Sequence, residues 1–176
     1  MWERALQFAS PTSPSTGRTR IVAFLDLECP FCATYDGTMR EIEKSLGDSV
    51  QFMIVPMPIP SHKCARGGAF ALECALAQGR ARQFISHVFS KSDSVGLKPW
   101  AVFAHESGVP DTSAFSLCTR SPAVAQKVDS AAAVARELNI PGTPTLLMDG
   151  WQFRGGRSTA DLLKAVGAIR RGEKPT

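Results

Sequence analysis

Residues 20–27 (Arg-Ile-Val-Ala-Phe-Leu-Asp-Leu) form a short apolar run that passes straight into Glu28-Cys29-Pro30-Phe31-Cys32. The run reads as a buried strand. Beyond it Tyr35, Met39, Ile42 and Leu46 recur at steps of four, three and four, one stripe of a helix, and Gly47 stands where a C-terminal cap belongs. A strand that delivers a C-x-x-C pair to a helix start restricts both fold and chemistry. One helical turn separates the sulfurs, so they can close a disulfide without backbone movement. Cys29 lies at the helix N-terminus, where unpaired N–H groups and the macrodipole stabilise a thiolate, the attacking species in disulfide exchange. Pro30 falls near the first helical position, where its missing N–H costs little. The pattern predicts Cys29 as the nucleophile and Cys32 as the resolving thiol. Phe31 carries no donor or charge, so it cannot stabilise that thiolate as a histidine could. A lowered but not extreme thiolate pKa and an intermediate oxidising strength are expected. Asp26 and Glu28 flank the pair and would oppose the thiolate if close; their side chains are expected to point to solvent.

Residues 50–55 read as a second strand, ended by Pro56, Pro58 and Pro60. Ala65, Ala69, Leu72 and Leu76 form a helical stripe closed by Gly79, and shorter helices are expected over 82–89, 98–106 and 114–117. A long helix follows, with Ser121 as N-cap, Pro122 at its first position, and Val124, Val128, Ala131, Ala135 and Leu138 along its stripe. Residues 145–148 and 151–154 read as strands joined by the Asp149-Gly150 hairpin signal. After Gly155-Gly156, Ser158 caps a last helix bearing Leu162, Val166 and Ile169. This order predicts an α/β fold, a small mixed sheet flanked by helices with a helical block inserted. The expected divisions are a flexible N-terminal segment 1–19, a core of 20–60 and 139–171, a helical insertion 61–138 and a tail 172–176. Residues 10–19 read as a linker.

The chain has 176 residues, the size of one domain, and its 44% apolar content suffices for a core without disulfide staples. Net charge is +4 with scattered basic residues, which is not a nucleic-acid footprint. No apolar run reaches the roughly 20 residues of a membrane span. Residues 1–9 are too short and polar for a signal-peptide core. The chain is therefore either cytosolic or a mature domain whose leader is gone, and five cysteines lean to the second. The odd count leaves at least one thiol free or paired with another molecule. No separate dimerisation segment is visible, which favours a monomer.

Residues 140–145 (Ile-Pro-Gly-Thr-Pro-Thr) enter the third strand, and Pro144 is a candidate cis-proline. The competing reading is an ordinary Pro/Gly turn. Facing a C-x-x-C, a cis-proline loop would offer no metal ligand and would leave the Thr143 backbone free to pair with an extended substrate peptide. The C-x-x-C could instead be half of a metal site. A structural zinc site needs four ligands, and the only other local N/S cluster is His62-Lys63-Cys64. The zinc deaminase signature is absent. Redox chemistry with no metal is favoured. The alternative is a metal-binding or metallochaperone domain using Cys29, Cys32 and His62.

Taken together, Phe24-Leu25-Asp26-Leu27-Glu28-Cys29-Pro30-Phe31-Cys32, the helical insert and Gly142-Thr143-Pro144-Thr145 followed by an Asp-Gly hairpin resemble the DsbA-like branch of the thioredoxin superfamily. The resemblance covers about residues 20–171. It implies a thioredoxin fold interrupted by an α-helical domain, and disulfide exchange with protein thiols in the bacterial cell envelope or periplasm. It further implies an exposed nucleophile Cys29, a buried partner Cys32, a cis-proline Pro144, and substrate contacts from Thr143, Phe31 and Pro30. No cofactor is implied. The partners implied are cysteine-containing proteins or peptides and a redox partner protein, membrane quinone-linked proteins among the candidates. Two positions depart from the pattern. Phe31 stands where strong oxidants of the family have histidine, and is similar to glutaredoxin-type sites with potentials of about −200 to −230 mV. Ala23 stands where related members often keep a buried carboxylate. Both leave the direction of the reaction open between oxidase, reductase and isomerase.

Of the remaining cysteines, Cys64 and Cys74 are ten residues apart, about 15 Å along one helix and too far to bridge. Cys74 with Cys118 would tie two parts of the insertion together as a structural disulfide; the alternative is two buried thiols. Cys64 is then the odd thiol. The three histidines read as structural or surface residues, and Trp100 and Trp151 as packing residues.

Overall fold

The computed structural model describes residues 1–12, 17 and 19–176. Among these residues five strands form one sheet in the order β1-β3-β2-β4-β5, where β1 is Ser10–Pro11, β2 Thr19–Leu25, β3 Val50–Pro56, β4 Thr145–Met148 and β5 Trp151–Arg154. β2 and β3 run parallel, with Ala23 opposite Ile54, and the other pairs are antiparallel. The central strands are buried on both faces, as continuous apolar runs require. Ile21, Ala23 and Leu25 of β2 join Phe52, Ile54, Leu146 and Met148 on one face, while Val22 and Phe24 join Met53, Val55 and Leu147 on the other.

Among the described residues seven α-helices accompany the sheet: α1 Pro30–Leu46, α2 Ala65–Ala77, α3 Ala81–Ser90, α4 Trp100–Glu106, α5 Thr112–Cys118, α6 Pro122–Glu137 and α7 Thr159–Arg170. Their local signals act as the sequence predicts in several places. Pro30 and Pro122 open α1 and α6, and the Ser158 hydroxyl accepts the Asp161 N–H at 3.2 Å. Asp149 (φ 43°) and Gly150 (φ 94°) both take left-handed backbone in the β4–β5 hairpin, the geometry that an Asp-Gly turn supplies. The Asp149 carboxylate also accepts the Arg20 N–H at 3.0 Å, pinning the turn to β2.

The first face of the sheet packs on Met39 and Ile42 of α1 and on Leu162 and Val166 of α7. The same cluster runs on into Leu72, Phe84, Phe103 and Phe115 of α2–α5, so the helical block shares one core with the sheet. The second face is covered by Ala131 and Ala135 of α6. α6 thus forms a layer of the sheet sandwich, whereas the sequence division placed it inside the insertion. Its small-residue stripe lets the helix lie close to Val22, Phe24 and Met53.

The N-terminal expectation needs correction over residues 1–12. Trp2–Gln7 form a 3-10 turn, and Ala5 is buried in the α6-side cluster. Ser10 and Pro11 pair with Ile54 and Met53 on the edge of β3. Arg4 pairs with Glu137, and the Arg20 guanidinium lies 4.7 Å from the centre of the Trp2 ring. Burial of a few apolar side chains and capping of a sheet edge order this segment. Residues 13–16 and 18 of the expected linker lie outside the described residues. Trp100 packs against Phe84 and Phe103, as read from the sequence, but Trp151 on β5 is 40% exposed.

Cys74 of α2 and Cys118 of α5 are joined by a disulfide, with Cα atoms 5.9 Å apart. Cys64 is a free thiol.

Candidate functional site

The parallel strand β2 ends at Leu25, and a turn over 26–28 hands the chain to α1. In that turn the Cys29 N–H donates to the Asp26 carbonyl at 3.1 Å. Cys29 occupies the N-cap position in extended backbone, Pro30 begins the helix, and Cys32 faces inward one turn on. Both cysteines are free thiols, and Cys32 is fully buried.

Cys29 is itself only 4% exposed, so the nucleophile expected at the surface is mostly covered. The cover comes from the 141–145 loop. The Thr143–Pro144 peptide is cis, and the Cys29 thiol donates to the Thr143 carbonyl at 3.4 Å. The Cys29 side chain reaches solvent through a cleft of about 280 Å³ whose walls include Glu28, Pro30, Ser92 and Val95. A larger, mainly apolar cleft of about 450 Å³ lies on the other side of the helix start, between Phe31 and Tyr35 of α1, the 141–145 loop and Gly155-Gly156. Gly155 fits there because a Cβ would meet Pro144 Cγ at 2.6 Å, and its N–H donates to the Pro144 carbonyl at 2.9 Å. Phe31 is 74% exposed on the wall of this cleft, and Pro30 is exposed beside it.

The two thiols are driven apart electrostatically. A hydrogen bond from the Cys32 thiol, with further help from Thr143 and from the Phe31 and Cys32 N–H groups, lowers the Cys29 pKa to about 5 against the opposing effect of burial. Burial, and then the hydrogen bond to Cys29, pushes the Cys32 thiol far above its ordinary value. At neutral pH the pair is one thiolate and one thiol, the state suited to attack by Cys29 and proton retention by Cys32.

A family model described as Thioredoxin matches residues 15–168. The chain belongs to the thioredoxin family. Its fold is that of the DsbA-like members. The oxidoreductase DsbA from Xylella fastidiosa superposes with a TM-score of 0.71 at 23% identity, over 93% of this chain and 92% of that one. A periplasmic thioredoxin-like protein from Salmonella enterica serovar Typhimurium superposes with a TM-score of 0.71 at 16% identity, covering 91% and 88%. Among curated sequences, the Na(+)/H(+) antiporter NhaA of Herminiimonas arsenicoxydans is 26% identical over 161 residues, 92% of this chain. The chain spans about a quarter of the length of such antiporter relatives, 25% in that case.

The candidate site thus brings together Cys29, Cys32, Pro30, Phe31, Thr143 and Pro144. Three residues that sequence reasoning read otherwise also belong to its surroundings. The Asp26 carboxylate does not point to solvent; its side chain is 0% exposed. Oδ1 accepts the Glu28 N–H at 2.8 Å, and Oδ2 accepts the Ile59 N–H at 2.9 Å and lies 2.8 Å from His62 Nδ1. The Glu28 carboxylate turns back to accept the Cys64 N–H. Three backbone and ring donors repay the burial of Asp26, a balance that only the fold of the 57–64 loop makes available. His62 is engaged with Asp26, and among the described residues no three His, Cys, Asp or Glu side chains converge as ligands for a metal ion. The metal-binding alternative is not favoured.

Proposed function

We propose that this chain is a protein thiol–disulfide oxidoreductase that works through Cys29 and Cys32 as an oxidant of moderate strength. The observation that carries the reading is the geometry of the pair: Cys29 at the N-cap of α1, Cys32 one turn inward, and the cis Thr143–Pro144 peptide set against Cys29 Sγ. In the oxidising direction a substrate thiolate attacks Cys29 Sγ of the Cys29–Cys32 disulfide. The S–S bond breaks, and its electron pair leaves on Cys32, which takes a proton. A second substrate thiolate then attacks the substrate sulfur of the mixed disulfide and expels the Cys29 thiolate. Two electrons pass from the substrate dithiol to the enzyme. In the reducing direction Cys32 loses its proton and resolves the mixed disulfide at Cys29.

The substrate enters as an extended segment pairing with the Thr143 backbone, beside Pro144, with a side chain in the apolar cleft behind Phe31. Pro30 and Phe31 form the exposed part of that contact. No cofactor takes part, and a redox partner protein returns the pair to its starting state. An envelope location fits the Cys74–Cys118 disulfide, since structural disulfides persist in oxidising compartments. Sodium–proton exchange is not carried over from the antiporter relatives. The chain spans a quarter of their length, and no described helix is long and apolar enough to cross a membrane.

The test is oxidation of a reduced, unfolded model protein by stoichiometric enzyme. The wild-type chain should transfer its disulfide. Cys29→Ser should lose all transfer, and Cys32→Ser, offered glutathione disulfide, should release one glutathione and retain the other as a mixed disulfide at Cys29, seen by mass spectrometry. Full activity in Cys29→Ser would sink the assignment.

A further inference from the structure

The exchange reaction as written makes no use of Asp26, although its side chain is the most thoroughly buried acid at the centre. It sits three residues before Cys29, and its carbonyl holds the Cys29 N–H. Asp26, Glu28 and the Cys29 thiolate place three acidic groups on four consecutive residues. Like charges so placed oppose one another and raise the cost of the thiolate. Phe31 brings no compensating charge. Among the described residues, the one cationic side chain bonded to this group is His62, through Asp26 Oδ2. Lys63, its neighbour, is exposed, and Cys64 contributes a backbone N–H to Glu28. His62 comes from the loop after β3, which is fastened to the 25–28 turn by the Met57 N–H to the Leu25 carbonyl at 2.9 Å, by the Ile59 N–H to Asp26, and by the Cys64 N–H to Glu28.

We propose that Asp26 and His62 form a positioning pair for the redox centre, in which His62 supplies from the 57–64 loop the positive charge that the residue between the cysteines lacks. The inference rests on Cys29 and Cys32 being the redox pair. His62 acts through Asp26 and touches no substrate. Its protonated form is favoured first by the hydrogen bond to Asp26, with burial opposing and the charges of Asp26, Cys29 and Glu28 adding to it. The side chain remains 26% exposed, so solvent protons reach it.

Coupling between His62 and Cys29 has a consequence in proton balance. Reduction of the disulfide takes two electrons and one proton when Cys32 alone is protonated and Cys29 stays a thiolate. The new thiolate strengthens proton binding at His62. Over the pH window between the His62 titrations beside the disulfide and beside the thiolate, reduction takes up part of a second proton. Glutathione takes the place of both electron donor and acceptor in the measurement.

The experiment uses the full chain in glutathione redox buffers between pH 6.5 and 8.5, above the titration of Cys29 itself, with the state of Cys29–Cys32 read by alkylation and mass spectrometry. The wild type should rise to about 1.4 protons per electron pair within this range and fall back to one as pH rises further. His62→Gln should stay near one throughout. Thiolate absorbance should show at least about threefold less Cys29 thiolate at pH 5 in His62→Gln, and His62→Lys should recover most of it. A Gln variant that titrates as the wild type overturns the proposal. Should that variant not fold, a wild-type stoichiometry fixed at one across the range overturns it equally. Failure of the redox reading itself is a different result, since then no Cys29–Cys32 disulfide forms in any buffer.

Discussion

Phe31 is exposed between the two cysteines and forms one wall of the apolar cleft, so its side chain is available to substrate and gives nothing to the thiolate. Phe31→His would add a donor and a partial positive charge beside Cys29 Sγ. The expected outcome is a further fall in the Cys29 pKa and a roughly tenfold shift of the glutathione equilibrium towards the reduced enzyme, measured in the same buffers. Cys29 also makes a prediction for stability. Its folded-state pKa of about 5 lies below the ordinary thiol value of 9.0. A depressed pKa contributes stability that is fully present above the unfolded value and is lost as pH falls through the folded one. The Tm of the reduced protein should therefore fall between pH 7 and pH 5 relative to that of the oxidised protein, in which Cys29 carries no proton equilibrium. Parallel Tm profiles of the two forms would contradict the assigned thiolate.

Among the elements, α2 and α5 are the clearest case of two helices held by a covalent link. Cys74 and Cys118 are 44 residues apart in sequence, and the segment between them includes the whole of α3 and α4. Removing the cross-link by Cys74→Ala with Cys118→Ala should lower stability by about 3–4 kcal/mol through the freed unfolded chain, read from the urea midpoint. The Cys29 titration should be unchanged, because α2 and α5 contribute no residue to either cleft beside the thiol. The hairpin of β4 and β5 works differently. It brings the 141–145 loop and Gly155 to the end of α1, where Gly155 leaves room for the Pro144 ring.

At the scale of the whole molecule the sheet has two covered faces and one covered edge. α1, α7 and the helical block bury the first face, α6 and the 3-10 turn Trp2–Gln7 bury the second, and Ser10–Pro11 cap the edge of β3. Deleting residues 1–12 would uncover Ala5, Leu6 and Phe8 contacts and leave β3 as an open edge. A loss of about 2–4 kcal/mol and a greater tendency to aggregate are expected, checked by urea unfolding and light scattering. Stability equal to that of the full chain would mean that this segment only rests on the sheet.

Much of this fold and of its candidate site was legible because the signals are local. The Cys29–Cys32 spacing, Pro30 at a helix start, the Asp149-Gly150 turn and the two-faced burial of β2 depend on neighbours within a few residues. Asp26 was misread for the opposite reason. An isolated acid before a cysteine looks solvated, and its donors arrive from Ile59 and His62, 33 and 36 residues away. The N-terminal turn and the placement of α6 against the sheet were hidden likewise, since a short segment or an alanine stripe does not state which surface it will meet. The sequence alone determined a thiol pair at the mouth of a helix and the residues between and opposite its sulfurs. The tertiary structure decided which charges surround that pair, because burial and hydrogen-bond partners are set by chain segments brought together only on folding.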